Sequence, residues 1–222
     1  MLSVNVFAAS DDLDDLRSSK IAQDEWRLIK QDRAHDIKAY DKRDLGKNLR
    51  SFKVEYEVET DLDTIARVYF DFYNYRKWFY QVQEAKLLKK VSATEFYYYI
   101  VHRAPPTLPD RDAIIHATIE PYQDSHKYML LRLRGEPSIL PVPDGVTRLT
   151  AFDIDIKFTP LVNGETQMDI QGYIDPSGGL PAWTVNMFQR QAPYATMLGL
   201  YRMVQKPEYA RMKTPLAFRY SQ

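Results

Sequence analysis

Histidine, arginine and carboxylate side chains are the groups in this chain that could act chemically, since the sequence contains no cysteine. The lack of cysteine excludes disulfides, thiolate nucleophiles and thiolate metal sites. His35, His102, His116 and His126 are scattered, and no His-x-x-x-His, P-loop or Gly-x-Ser-x-Gly spacing occurs. His102 and His116 fall on neighbouring predicted strands and with a water could transfer protons, but a lone strand histidine is usually structural. The sequence therefore predicts no catalytic residue, no metal site and no cofactor.

A second set of polar residues lies on or beside the predicted strands. The segment PDRD is predicted to form a structural turn in which Asp110 or Asp112 braces Arg111. A polar side chain of this kind lies more often on a solvated strand face than beside a bound molecule, because a buried arginine needs a carboxylate partner. The candidates for orienting a bound molecule are Arg103, Arg132, Arg134, Glu136 and His116.

The length and charge of the chain limit its class. Its 222 residues, of which 45% are hydrophobic, are enough for one large domain with a substantial core. The 30 basic and 30 acidic side chains cancel, which predicts no nucleic-acid partner. No apolar run reaches the roughly 18 residues of a membrane span. Val6-Phe7-Ala8 is similar to the end of a clipped export signal, so the predicted location is soluble, either cytoplasmic or exported to the periplasm.

Alternating apolar and polar residues predict antiparallel strands joined by short turns. The clearest strand is SFKVEYEVET, in which Phe52, Val54, Tyr56 and Val58 share one face. Asn163-Gly164 is a hairpin signal. The other predicted strands are EWRLIKQD, HDIKAYDK, Ala85 to Lys90, Glu95 to Arg103, Asp112 to Pro121, Lys127 to Arg134, Arg148 to Pro160, and Thr166 to Asp175.

Helices are predicted at both ends and after the third strand, which favours an α+β layer arrangement. A short helix is expected between Ser10 and Ile21, and Thr60 or Asp61 is expected to cap a second one. The long segment Gly178 to Gln205 is apolar around much of its circumference, and Pro193 is expected to bend it. A bent, broadly apolar helix fits inside a curved sheet that wraps around it.

Two long segments resemble the START domains, the steroidogenic-acute-regulatory-related lipid-transfer family of the helix-grip superfamily. The first, FYNYRKWFYQVQEAKLLKKVSATEFYYYIVHRAPPTLPDRDAIIHATI, contains a YxxW element at Tyr75 and Trp78, a proline loop and the DRD that begins a strand. The second, PAWTVNMFQRQAPYATMLGLYRMV, resembles the closing helix of the family. The resemblance extends from about Trp26 to Lys206 and sets the expected domain at residues 25–206, with an N-terminal helix or tail at 1–24 and a C-terminal tail at 207–222.

The resemblance implies a helix-grip fold, in which a curved antiparallel sheet wraps around the C-terminal helix and leaves a hydrophobic tunnel for one lipid-like molecule. It also implies that the loop APPTLP and the last helix gate the tunnel mouth, with transient contact to a membrane surface. Leu108 at the loop tip is apolar and expected to be exposed. The same tunnel could serve a polyketide cyclase or aromatase, or the domain could be a protein-interaction module. The predicted function is non-enzymatic lipid binding, for transfer or sensing.

Strand alternation supplies the candidate tunnel lining. The residues Phe96, Tyr98, Ile100 and His102 share one face of their strand, while Tyr97, Tyr99, Val101 and Arg103 share the other, and periodicity does not say which face lines the tunnel. The predicted ligand-binding residues are Tyr97, Tyr99, Arg103, Leu108, Phe152, Ile154, Met168, Ile170, Trp183, Met187 and Tyr194.

Overall fold

The computed structural model describes residues 25–47, 49–178, 180, 185 and 187–211, with the backbone alone at 187 and 188. The expected N-terminal helix, Trp183, the Met187 side chain and the tail from 212 onwards lie outside the described residues. The strands are β1 (Arg27–Asp32), β2 (Ile37–Lys42), β3 (Ser51–Val58), β4 (Val82–Lys90), β5 (Glu95–His102), β6 (Asp110–Glu120), β7 (Met129–Gly135), β8 (Val146–Arg148), β9 (Ala151–Pro160) and β10 (Thr166–Asp175). The helices are α1 (Leu62–Phe70), a 3₁₀ helix (Phe72–Lys77), a π turn (Met187–Gln191), α2 (Ala192–Val204) and the short α3 (Pro207–Ala210).

The strands form one curved sheet in the order β1-β2-β3-β10-β9-β7-β6-β5-β4. All of these neighbours are antiparallel, as predicted. The single strand expected from Arg148 to Pro160 is instead divided into β8 and β9. β8 does not continue into β9 and lies outside the strand order given above. It pairs in parallel with the start of β6, where Asp112 lies opposite Arg148.

The two faces of the sheet differ as the alternation predicts. On β3 the side chains of Phe52, Val54, Tyr56 and Val58 are buried on the inner face. On the outer face Lys53 donates from its ammonium group to the Glu55 carboxylate at 2.9 Å. Burial of the apolar set is worth roughly 1.5–3 kcal/mol for each large side chain, which fixes the register of the strand.

Helix α1 covers one end of the inner face. Of the two expected capping residues, Asp61 serves, since its carboxylate accepts a hydrogen bond from the Thr64 backbone N–H at 2.7 Å. Leu62, Ile65 and Val68 are buried on the side of α1 that faces the core. The 3₁₀ helix then brings the chain back to the sheet edge at β4.

The closing helix differs from the single bent helix that was expected. Residues 187–191 form a π turn, and α2 starts at Ala192, so that Pro193 lies in the first α-helical turn. Proline has no N–H to donate to the preceding turn, so placing it at the start of α2 removes no α-helical hydrogen bond. The wider π turn supplies the connection upstream. α2 contacts β2, β3 and α1.

Candidate ligand-binding cavity

An internal, almost wholly apolar cavity lies between the inner face of the sheet, α1 and the start of α2. It leaves about 110 Å³ open to the centres of water-sized molecules. The sheet contributes Phe52, Val54, Phe96, Tyr98, His102, Arg111, Ile119, Met129, Leu131, Leu133, Phe152, Ile154, Ile156, Phe158, Ile170 and Ile174. The helices contribute Leu62, Ile65, Ala66, Tyr69, Phe70, Tyr75, Ala192, Pro193, Thr196 and Met197.

Aromatic side chains form one side of this cavity, and the YxxW element is central to them. Tyr75 and Trp78 are both buried, and their ring centroids lie 5.2 Å apart in an edge-to-face arrangement. The Tyr75 hydroxyl donates to the backbone carbonyl of Tyr69 at 2.6 Å, which ties the 3₁₀ helix to the end of α1. Burial raises the pKa of the Tyr75 hydroxyl well above its usual value, so this donor keeps its proton.

Three of the predicted ligand-binding residues, Phe152, Ile154 and Ile170, line the cavity. Met168 is fully buried on the same strand as Ile170 but is not among the lining residues. Tyr194 is not among the lining residues and lies between α2 and β1, where its hydroxyl donates to the Asp32 carboxylate at 2.8 Å. The ammonium group of Lys30 lies 3.6 Å from the centre of the Tyr194 ring.

The structure decides which face of β5 meets the cavity. Phe96, Tyr98 and His102 line it, and Tyr97 and Tyr99 therefore lie on the outer face of the sheet. Tyr97 stacks on His116, with ring centroids 4.4 Å apart. Tyr99 packs in a separate small cluster with Val101 and Ile114. Periodicity could not distinguish the two faces because both are apolar, and on the outer face Tyr99 and Val101 are buried with Ile114 of β6.

The proline loop that precedes β6 contains the two remaining predicted residues. Arg103 is exposed, and its backbone N–H donates to the Gln81 carbonyl at 2.7 Å. Leu108, expected to be exposed, is half-buried, and its N–H donates to Pro105 at 3.2 Å. Neither side chain is among the residues that line the cavity.

The two carboxylates of DRD hold other partners than the predicted one, Arg111. Asp110 accepts from the Ala104 backbone N–H at 2.8 Å and from the Gln83 side-chain amide, so it closes the proline loop. Asp112 forms a bidentate salt bridge with Arg148 on the outer face, with N–O distances of 2.8 and 2.9 Å. The prediction that either carboxylate braces Arg111 is therefore wrong, because successive side chains of a strand point to opposite faces.

Arg111 instead enters the cavity wall, where it is only 3% exposed. Its guanidinium donates from Nε to the Pro176 carbonyl at 3.3 Å and from Nη1 to the Pro109 carbonyl. Burial lowers the pKa of Arg111, with Asp110 opposing the change, but a guanidinium stays charged at any physiological pH. Sequence reasoning missed Arg111 as a cavity residue, although it alternates with Ala113, Ile115 and Ile119 on the apolar face of β6.

The two histidines considered for proton transfer do not meet. The His102 Nδ1 atom lies 3.3 Å from the Tyr80 carbonyl oxygen and faces the cavity, and burial lowers its pKa to about 4. The His116 Nε2 atom lies 2.9 Å from the Glu95 carboxylate on the outer face. Since the sheet separates them, they cannot act on one bound molecule.

Neither a cluster of metal-ligating side chains nor a membrane-spanning helix is found in the described part of the chain. Within it, no group of three or more histidine, aspartate or glutamate side chains is placed to hold a metal ion. No helix among the described residues is long and apolar enough to cross a membrane.

Comparison with known proteins places this architecture among lipid-transfer folds. No protein-family model matches the chain. An uncharacterized protein of Pseudomonas aeruginosa is 27% identical over 183 residues, which is 82% of this chain and 88% of that protein. The crystal structure of a STAR-related lipid transfer protein from Xanthomonas axonopodis is 27% identical, with a TM-score of 0.73, over 82% of this chain and 100% of that one.

Human structures give the same fold at lower identity. Human STARD10 superposes with a TM-score of 0.71 and 20% identity over 95% of this chain and 84% of that one. Human StAR-related lipid transfer protein 5 superposes with a TM-score of 0.68 and 14% identity over 89% of this chain and 95% of that one. The curved sheet, the closing helix and the cavity between them thus define a START-like helix-grip fold. The predicted α+β class and the resemblance to START domains are confirmed.

Proposed function

We propose that the protein binds one lipid-like molecule in the cavity and carries or senses it without chemical conversion. The observation that supports this most is the apolar cavity enclosed jointly by the sheet and by α2, in a fold shared with lipid-transfer proteins. A guest that moves from water into such a cavity gains roughly 25 cal/mol for each Å² of apolar surface removed from water. Loading and release at a membrane surface, next to the proline loop that ends at Pro109, belong to the same proposal.

The first experiment is native mass spectrometry of the purified protein, followed by organic extraction of any bound molecule. We expect a mass increment that matches one apolar molecule per chain. A protein that is empty as purified and also binds no member of a panel of lipids would contradict the proposal.

A cavity-filling variant locates the binding site. Ala192 lines the cavity at the start of α2, so Ala192→Phe should fill part of the space and reduce bound lipid at least severalfold. Ala210 is exposed on α3, outside the cavity, so Ala210→Phe makes the same chemical change as a control and should retain the lipid. Circular dichroism and thermal unfolding show whether both variants are folded. Equal lipid content in two folded variants would place the guest elsewhere.

A further inference from the structure

Arg111 and His102 are direct neighbours across the pair of strands β5 and β6, where their Cα atoms lie opposite each other. Both side chains belong to the cavity lining. Around them the wall is formed by aliphatic and aromatic groups, so they constitute a polar end in an otherwise apolar space.

Arg111 forms no salt bridge with an acidic side chain in the part of the chain that the structure describes, although Asp110 interacts with its charge from a distance. Its hydrogen-bond partners there are two backbone carbonyls, and Nη2 makes no hydrogen bond to a described residue. Asp110, the nearest acidic group along the strand, is engaged with Ala104 and Gln83, while Asp112 points to the other face and pairs with Arg148. A guanidinium that is buried without an anion is costly, and an anion that reaches it would recover much of that cost.

His102 adds no second charge at neutral pH. A backbone carbonyl can only accept a hydrogen bond, so the contact between Nδ1 and the Tyr80 carbonyl places the imidazole proton on Nδ1. The low pKa of about 4 keeps the ring neutral. The two neighbours together therefore carry one positive charge, which matches one negative charge on a guest.

The lining of the cavity also reaches far from this polar end. On β6 it includes Arg111 and Ile119, whose separation along the strand is about 25 Å at the rise of an extended strand. Beyond Ile119 the neighbouring lining residues Met129 and Leu131 are apolar. An unbranched acyl chain suits this shape, because it can lie along the strand with its head group at Arg111.

We propose that Arg111 is the anchor for the carboxylate of a monoanionic, single-chain lipid, with the neutral His102 beside it and the chain directed towards Ile119. The inference rests on the proposed function, since it names the class of guest for the same cavity. A zwitterionic or dianionic head group would leave one charge buried without a partner and is disfavoured for that reason.

Isothermal titration calorimetry with three probes of equal chain length tests the anchor: dodecanoate, dodecanol and methyl dodecanoate. We expect the delipidated protein to bind dodecanoate about tenfold or more tightly than the two neutral probes, because only the carboxylate can form charge-assisted hydrogen bonds with the guanidinium. Arg111→Gln should abolish this preference and leave dodecanol binding nearly unchanged, while Arg111→Lys should restore part of it. Arg103→Gln, at an exposed position just after β5, is the matched control and should behave as the parent protein.

The outcomes separate the anchor from the cavity. Equal affinities for the three probes, or an Arg111→Gln variant that still prefers dodecanoate, would overturn the anchor and leave lipid binding in place. Failure of all three probes to bind, together with an empty protein in native mass spectrometry, would overturn both proposals.

A second measurement tests the anchor in the unmodified protein, so its result does not depend on whether the Arg111 variants fold. Dodecanoate labelled with ¹³C at the carboxyl carbon is bound to the parent protein and titrated by NMR. Contact with a guanidinium should lower the pKa of the bound carboxylate below that of dodecanoate in water, whereas burial without an anchor would raise it. A raised pKa would therefore overturn the proposal.

Discussion

Arg111, Arg134 and Arg148 are all strand residues, yet the structure gives them three different environments. Arg134 pairs with Asp155 at 2.6 Å on the open outer face, with 40% and 33% of the two side chains exposed. The pair of Arg148 with Asp112 is buried, at 7% and 0%, and Arg148 also donates to the carbonyls of Pro137, Leu140 and Pro141 in the loop between β7 and β8. Among the described residues, Arg111 donates hydrogen bonds to backbone carbonyls alone. Residue type and alternation assign the face of each side chain, but the partner depends on which distant segment covers that face.

His102 makes the stability of the fold depend on pH. In the unfolded chain a histidine binds its proton below about pH 6.5, whereas in the folded protein the pKa of His102 is about 4. The unfolded chain therefore binds more protons between these values, so the contribution of His102 to stability is complete above pH 6.5 and is lost as the pH falls towards 4.

His102→Asn keeps a donor for the Tyr80 carbonyl and removes this titration. In urea denaturation at a series of pH values, the dependence of stability on pH should be steeper in the parent protein than in the variant by up to about 1.4 kcal/mol per pH unit. His126→Asn, on a loop outside the cavity, is the control. Parallel curves for the parent protein and His102→Asn between pH 4 and 6.5 would show that His102 protonates freely.

Helix α2 shows how closely an element must approach its neighbours to enclose the cavity. Gly199 lies against the backbone of Trp78, and a Cβ atom at Gly199 would be 2.1 Å from the Trp78 carbonyl oxygen. At the start of the same helix, Thr196 accepts a hydrogen bond from the Tyr80 N–H at 3.3 Å. The contact explains why a glycine, a poor helix former, lies within a helical segment.

Gly199→Ala should therefore destabilise the protein, although this substitution usually stabilises an exposed helix by about 0.5–1 kcal/mol. We expect a loss of roughly 1–3 kcal/mol in the free energy of unfolding, because the backbone of Trp78 cannot move aside as a flexible side chain can. The measurement is the midpoint of urea denaturation, compared between variants whose m-values are the same. Arg202→Ala, at an exposed position of α2, controls for helix propensity, and a variant as stable as this control would contradict the close contact.

At the level of the entire domain, two contacts join β1 and β2 to the closing helical segment, which is far away in the sequence. The Tyr194 hydroxyl on α2 donates a hydrogen bond to the Asp32 carboxylate on β1. This hydrogen bond, and to a smaller extent the one with His35, lowers the pKa of the Asp32 carboxylate. The π turn contributes a second contact, in which Arg190 approaches the buried Asp41 on β2 at 3.5 Å. A guest that enters between α2 and the sheet would have to loosen these contacts.

Tyr194→Phe removes the hydroxyl that joins α2 to β1 and keeps the ring beneath Lys30. Amide hydrogens of α2 and β1 should exchange about two- to tenfold faster than in the parent protein, because one intramolecular hydrogen bond no longer opposes opening. Tyr73→Phe, at an exposed site on the 3₁₀ helix, makes the same change elsewhere and should leave exchange in α2 unaltered. Unchanged exchange in Tyr194→Phe would show that the helix is held by packing alone.

Local pattern sufficed for much of this protein. The period-two runs predicted the antiparallel strands, Asp61 was one of two expected helix caps, and the YxxW, DRD and closing-helix segments carried the resemblance to START domains. These features depend on interactions over a few residues, so they can be predicted from the sequence. Phe152, Ile154 and Ile170 were found as part of the cavity wall for the same reason.

The rest depends on contacts between segments far apart in the chain. Both faces of β5 are apolar, so the choice of Phe96, Tyr98 and His102 for the cavity followed from the side of the sheet on which the helices pack. Arg148 on β8 took the partner expected for Arg111, and Arg111 was left to line the cavity beside His102. Alternation defines two faces of a strand, but the burial and charge of each face are set by what packs against it after folding.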